Sequence, residues 1–118
     1  MSKKTADEYA SSLAAQLRKG YLTYCVMQIC AREPRYTSEI ISELRNAELV
    51  VVEGTIYPLL KRLQNDGVLK HDWQESEQGP PRKYYALTDF GHEIVSGLKR
   101  HIKNLDDTLK VLEKGVKK

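Results

Sequence analysis

The chain has little with which to do covalent chemistry. Its 118 residues include only two cysteines and three histidines. Cys25 and Cys30 lie five apart within one predicted helix, so they face different sides and match neither a zinc nor a redox pair. They read as two reduced, apolar thiols of a cytoplasmic protein. His71, His92 and His101 have no metal-ligand spacing, and His92-Glu93 has no second histidine four residues on. No Gly-rich phosphate loop and no Gly-x-Ser-x-Gly string is present. No catalytic residue, metal or cofactor is therefore assigned, and the reading is not an enzyme.

Long apolar runs are also missing. None approaches the roughly 20 residues a membrane helix needs. Met1–Ala10 has basic residues but no apolar stretch behind them, so it does not read as a secretory signal. The expectation is a cytoplasmic protein with no membrane partner. Aromatic residues end at Phe90. The last quarter of the chain therefore has no stacking ring to offer, which predicts no dedicated pocket for a flat aromatic molecule along it.

Hydrophobic residues make up 41% and charged residues 30%, a globular balance. The net charge of +3 is mildly basic, compatible with nucleic acid without proving it. From Thr5 the pattern is helical, with Tyr9, Leu13 and Leu17 on one stripe that Tyr21 and Tyr24 continue. Leu22, Val26 and Ile29 form a second stripe, which marks a central core helix. Gly20 leaves open whether Thr5–Lys19 and Tyr21–Ala31 are one helix or two. Pro34 ends the run.

Thr37 reads as the cap of a short second helix, with Glu39 in its first turn and Tyr36 and Ile41 as a hydrophobic staple. Ile40, Ile41 and Leu44 are its buried face, and it stops near Asn46. The β-branched stretch Leu49–Val52 fits a strand or a buried linker. A third helix runs from Glu53 or Thr55 to Asp66, with Gly67 as its stop and Ile56, Leu59, Leu60 and Leu63 inward. Pro58 has to lie near its first turn, because deeper it removes a helix hydrogen bond.

The period then changes to two. Leu69, His71 and Trp73 alternate with Lys70, Asp72 and Gln74. A turn-rich stretch, Ser76–Pro81, leads to a second run, Arg82–Leu87, which makes a hairpin. Thr88 caps a long helix with Ile94, Leu98, Ile102, Leu105, Leu109, Leu112 and Val116 on a nearly heptad seam.

Three helices, a hairpin and a long helix give a mainly α fold with a small β-hairpin. This is the layout of a winged helix-turn-helix followed by a long C-terminal dimerisation helix. The expected units are an N-terminal helix or arm over 1–16, the winged helix-turn-helix over 17–88 and the dimerisation helix over 89–118. In such a fold the third helix enters the major groove of double-stranded DNA and the wing touches its backbone. Gly54 and Thr55 open that helix with free N–H groups that suit a phosphate. Tyr57, Lys61 and Arg62 lie on its free face or beside it, and Tyr57 fits a base contact or a half-buried ring about equally. Arg82 and Lys83 follow two prolines that stiffen the wing. The seam formed by Leu98, Ile102, Leu105, Leu109 and Leu112 is too long for one small domain to cover. It needs a second copy, with Tyr9, Leu13 and Leu17 as the surface for the partner's helix.

Gly54-Thr55-Ile56-Tyr57-Pro58-Leu59-Leu60-Lys61-Arg62-Leu63, then Asp66-Gly67-Val68-Leu69, then Gly79 through Thr88, with Gly91 following, resembles the PadR family of transcriptional regulators. The likeness spans about residues 17–91 and extends to the length and character of the last helix. It implies a winged helix-turn-helix homodimer that represses transcription from a pseudo-palindromic operator until an inducer or stress signal relieves it. A small-molecule effector, otherwise unidentified, belongs to that picture. Thr37 and Ser38, at the start of the second helix, complete the candidate DNA-binding set. They stand where many members carry Gly-Tyr, and Val52-Glu53 stands where many carry Ser-Pro. Two other readings remain: a dimeric winged-helix adaptor for protein, and a thiol-based redox sensor built on Cys25 and Cys30.

Overall fold

The computed structural model describes residues 4–49, 53–77 and 79–115. A single helix, α1, runs unbroken from Ala6 to Arg32, straight through Gly20 and across the 16/17 boundary. Its start is a reciprocal cap. The Glu8 amide donates to Thr5 Oγ1 at 3.1 Å, and the Thr5 amide donates to Glu8 Oε1 at 3.2 Å. Glycine inside a helix costs about 1 kcal/mol. Packing of Leu22, Val26, Met27 and Cys30, all buried in the turns beyond it, outweighs that cost.

A two-residue strand, β1 (Arg35–Tyr36), leads into α2 (Thr37–Asn46). The cap of α2 is Tyr36 and not Thr37, which is the first helical residue. The amide of Tyr36 donates to Glu39 Oε1 at 3.1 Å, so the acid read in the first turn secures the helix start from inside. Leu49 has no strand structure, and Val50–Val52 lie outside the described residues.

The third helix, α3, covers Glu53–Asn65. Pro58 is its sixth residue, a turn deeper than expected. The carbonyl of Gly54 thus has no N–H four residues on to accept from, and Gly54 is exposed, so water can serve it. Gly67, at φ +77°, turns the chain out of the helix, and the Val68 amide donates to the Leu63 carbonyl at 2.9 Å.

The wing consists of β2 (Leu69–Ser76) and β3 (Gly79–Leu87), antiparallel, with Leu69 opposite Leu87 and Gln74 opposite Arg82. The prolines expected in the turn lie within β3 instead. They cannot donate to a ladder, and the register slips beside them, between Gln74 and Ser76. β1 adds to the other edge of β3, giving the order β1-β3-β2.

The last helix, α4 (Asp89–Lys114), is capped by Thr88, whose Oγ1 accepts from the Gly91 amide at 3.0 Å. The same hydroxyl and amide of Thr88 also donate to the α3 exit: Oγ1 to the Gly67 carbonyl at 2.6 Å, and the amide to the Val68 carbonyl at 3.1 Å. A Cβ placed on Gly91 would stand 2.3 Å from the Val68 carbonyl oxygen, so only glycine permits this approach.

The core lies where α1, α2, α3 and the wing base meet. Val26, Met27, Ile40, Leu44, Ile56 and Leu60 are its fully buried centre. Arg35 and Glu43 form an ion pair at 3.4 Å beside it, joined by Arg32 and Glu33, and pin the end of α1 to β1 and α2. The two ends of the long helices reach past this core. The radius of gyration is 17.8 Å, against about 13 Å for a compact chain of this length.

Candidate nucleic-acid interface

The inward stripe of α3 turns its opposite face to solvent. Gly54, Thr55, Tyr57, Lys61 and Arg62 are all exposed there. Tyr57, 55% exposed, is not a core ring. One cleft of about 260 Å³ gathers five of the nine predicted DNA-binding residues, Thr37, Ser38, Tyr57, Arg82 and Lys83, with Tyr36 at its wall. Gly54, Thr55, Lys61 and Arg62 do not line it; they continue the exposed face along α3.

The cations of this face have no carboxylate partner among the described residues. Elsewhere Arg32 and Arg35 are held by Glu43, while Lys103 and Lys110 pair with Asp107 and Asp106 one turn away on α4. Arg82 and Lys83 sit over rings instead. The Arg82 Cζ is 4.5 Å from the centre of the Tyr36 ring, and the Lys83 Nζ is 5.5 Å from that of Tyr85. A cation over a ring keeps its charge available to a further anion, whereas an ion pair neutralises it.

Sequence reading passed over Tyr36 as part of this site. Its ring meets Tyr84 edge-on, with centroids 5.2 Å apart, because β1 registers Tyr36 against Tyr84. That neighbour comes from a pairing nearly fifty residues distant. Helix α3 is also tied to the wing, through Gln64 Nε2 and His71 Nδ1 at 2.6 Å.

The predicted dimerisation residues separate into two groups. Leu98 and Ile102 are half-buried, Leu98 against the chain's own core. Tyr9, Leu13, Leu17, Leu105, Leu109 and Leu112 are exposed, Leu17 at 77% and Leu105 at 71%. Between α1 and α4 lies an apolar groove of about 660 Å³, lined by Leu17, Tyr21, Tyr24, Leu98, Ile102 and Leu105 among others. The seam of α4 has no ring of its own, but α1 brings two tyrosines to it.

The thiols are poorly placed for a sensor. Cys30 is buried, and burial pushes its thiol up to about 12; Cys25 is raised in the same direction and for the same reason. At neutral pH neither is a ready thiolate. Among the described residues no helix is long and apolar enough to cross a membrane.

A trihelical core, an exposed third helix and a two-stranded wing whose Arg82 and Lys83 have no carboxylate partner among the described residues define a winged-helix DNA-binding protein. Residues 26–97 match the model of the transcriptional regulator PadR-like family, and the chain belongs to that family. It is similar to a PadR-like transcription factor from Bacteroides fragilis, with 49% identity over 84% of this chain and 96% of that one, and a TM-score of 0.73. It is also similar to a transcriptional regulator from Streptococcus, 35% identical over 83% and 97% of the two chains, TM-score 0.76. A PadR family transcriptional regulator from Eggerthella lenta superposes with a TM-score of 0.83 at 32% identity, over 92% and 96% of the two chains. The chain is thus a DNA-binding transcriptional regulator.

Proposed function

We propose that the protein is a homodimeric repressor that binds a pseudo-palindromic operator, and that it acts by occupying DNA rather than by catalysis. Residues 17–88 hold the DNA-reading unit, 89–118 contain the dimerisation helix α4, and 1–16 contain the first part of α1, on which the partner's helix packs. The observation that carries the DNA reading is the cleft that joins Thr37, Ser38 and Tyr57 to Arg82 and Lys83, all of it open to solvent or half-open. Arg82 and Lys83 hold phosphates. Gly54 and Thr55 offer N–H groups to the backbone at the start of α3. Tyr57, Lys61 and Arg62 face the base edges.

The dimer follows from the exposed leucines. Left in water they form an apolar surface that monomeric proteins rarely keep. Burial of each leucine or isoleucine stabilises by about 1.5–3 kcal/mol, more than a rim ion pair such as Lys103–Asp107 can. A two-fold axis along the paired helices then sets two recognition helices about one DNA turn, roughly 34 Å, apart. A small molecule that changes this spacing is the natural inducer.

The test is a DNA titration across salt concentrations with wild type and with Arg82→Ala plus Lys83→Ala. The double variant is expected to weaken operator and random DNA alike and to lower the salt slope by about 1–2 units. Unchanged affinity and slope would remove the wing from the interface. Binding of a protein partner with no salt-dependent DNA binding would instead favour the adaptor.

A further inference from the structure

We propose that Tyr36 is the positioning residue of the wing cation: its ring fixes Arg82 where the phosphate backbone passes, and so sets how strongly the wing grips DNA. The proposal rests on the DNA reading above and adds a residue to it.

Three observations converge on this ring. First, the Arg82 Cζ lies 4.5 Å from the ring centre, well inside the range of a cation–π contact. Second, the ring is itself packed and its backbone held. Tyr84 meets it edge-on at 5.2 Å, the strand pairing sets that register, and the Tyr36 amide is held by Glu39. Third, the Arg82 side chain has no hydrogen bond or ion pair among the described residues, so its guanidinium N–H donors remain available. An arginine side chain has much rotamer entropy to lose on docking. A ring that orders the side chain beforehand removes much of that loss without neutralising the charge. Arg82 also follows Pro80 and Pro81, so its backbone is stiff on one side and its head is held on the other.

Tyr36 links two parts of the reading surface. It caps α2 just before Thr37 and Ser38, and it lines the cleft that Tyr57 and Lys83 share. A change at this ring therefore acts at the surface through the side chain it holds, while the buried centre of the core lies elsewhere.

The experiment uses the full chain and a labelled random-sequence duplex, since a phosphate contact needs no operator. Tyr36→Phe, Tyr36→Leu, Arg82→Ala and the Tyr36→Leu/Arg82→Ala double variant are titrated across salt concentrations, with thermal melting as the folding check. Tyr36→Phe keeps the ring and is expected to bind within about twofold of wild type. Tyr36→Leu is expected to weaken binding by about three- to tenfold and to lower the salt slope towards that of Arg82→Ala. In the double variant the leucine adds little further, because its effect runs through the arginine.

Should wild type fail to bind DNA, or Arg82→Ala leave affinity and slope unchanged, the DNA reading of the wing falls, and this proposal with it. Should Arg82→Ala weaken binding while a folded Tyr36→Leu matches wild type in affinity and slope, the positioning role alone falls. If Tyr36→Leu does not fold, proton NMR of wild type decides. The Tyr36 ring current must shift the Arg82 δ protons upfield in the free protein, and ordinary positions for them would overturn the proposal.

Discussion

The winged head and the helical arms of this protein are built on opposite terms. In the head every large apolar side chain of α2 and the inward face of α3 has found cover, down to Ile40 and Ile56 with no exposed surface at all. Along the arms, Leu17, Leu105 and Leu112 stand 66% or more exposed, although they lie on helices that are just as well capped. Local rules, caps and propensities, hold in both regions alike. What differs is whether a single chain can close the apolar face it makes. The head is complete within one chain; the arms leave their apolar faces open, and the proposed second copy is what would cover them.

The strongest way to break that contrast is to make the arms indifferent to a partner. Ile102→Asp combined with Leu105→Asp is expected to abolish dimer and operator binding together, a loss of several kcal/mol of association. The head should retain much of its helical circular dichroism. Sedimentation and a DNA shift on the same sample check both halves of this expectation.

The joint between the regions comes next. Gly91→Ala forces a methyl to within 2.3 Å of the Val68 carbonyl unless α4 moves. It should destabilise by about 1–3 kcal/mol in denaturant titration, while the arms still associate. A neutral result would mean that α4 leaves the head at a looser angle.

Within the head, the exposed face of α3 is expected to read sequence and the wing to read charge. Tyr57→Ala or Lys61→Ala should narrow the gap between operator and random DNA by about 1–3 kcal/mol. Equal losses on both duplexes would assign these residues to positioning alone. The smallest effect concerns Glu48, which sits at φ 65° after α2, where glycine is the usual residue. Glu48→Gly is expected to stabilise the head by about 1 kcal/mol, read as a raised melting temperature with DNA affinity unchanged.

Much of the head was legible in the sequence because its signals are local. Gly67 ends α3, Thr88 caps α4, and the change from helical to two-residue period marks the wing; each depends on residues a few positions apart. Features set by distant pairing were not legible. β1 is only two residues long and exists because β3 offers it an edge. That pairing makes Tyr36 the cap of α2, displaces Thr37 from that role and places an aromatic ring under Arg82. Pro58 lies deeper in α3 than propensity allows because the exposed Gly54 carbonyl can turn to water, a matter of solvent access that a string of letters does not show. The residues predicted for DNA contact fall on one open face, yet only those near the start of α2, Tyr57 and the wing converge in one cleft. Tyr21 and Tyr24 read as a stripe on α1, but their place beside Leu98 and Ile102 appears only when α4 folds back across the core.

A second copy that finishes the arms makes the protein a dimer at every concentration at which it is folded. Sedimentation equilibrium of the wild-type chain at low micromolar concentration measures this directly. The predicted result is a particle of twice 13.5 kDa, with no folded monomer on dilution until DNA binding is also lost. A stable, folded monomer of 13.5 kDa that still binds a full operator would contradict it.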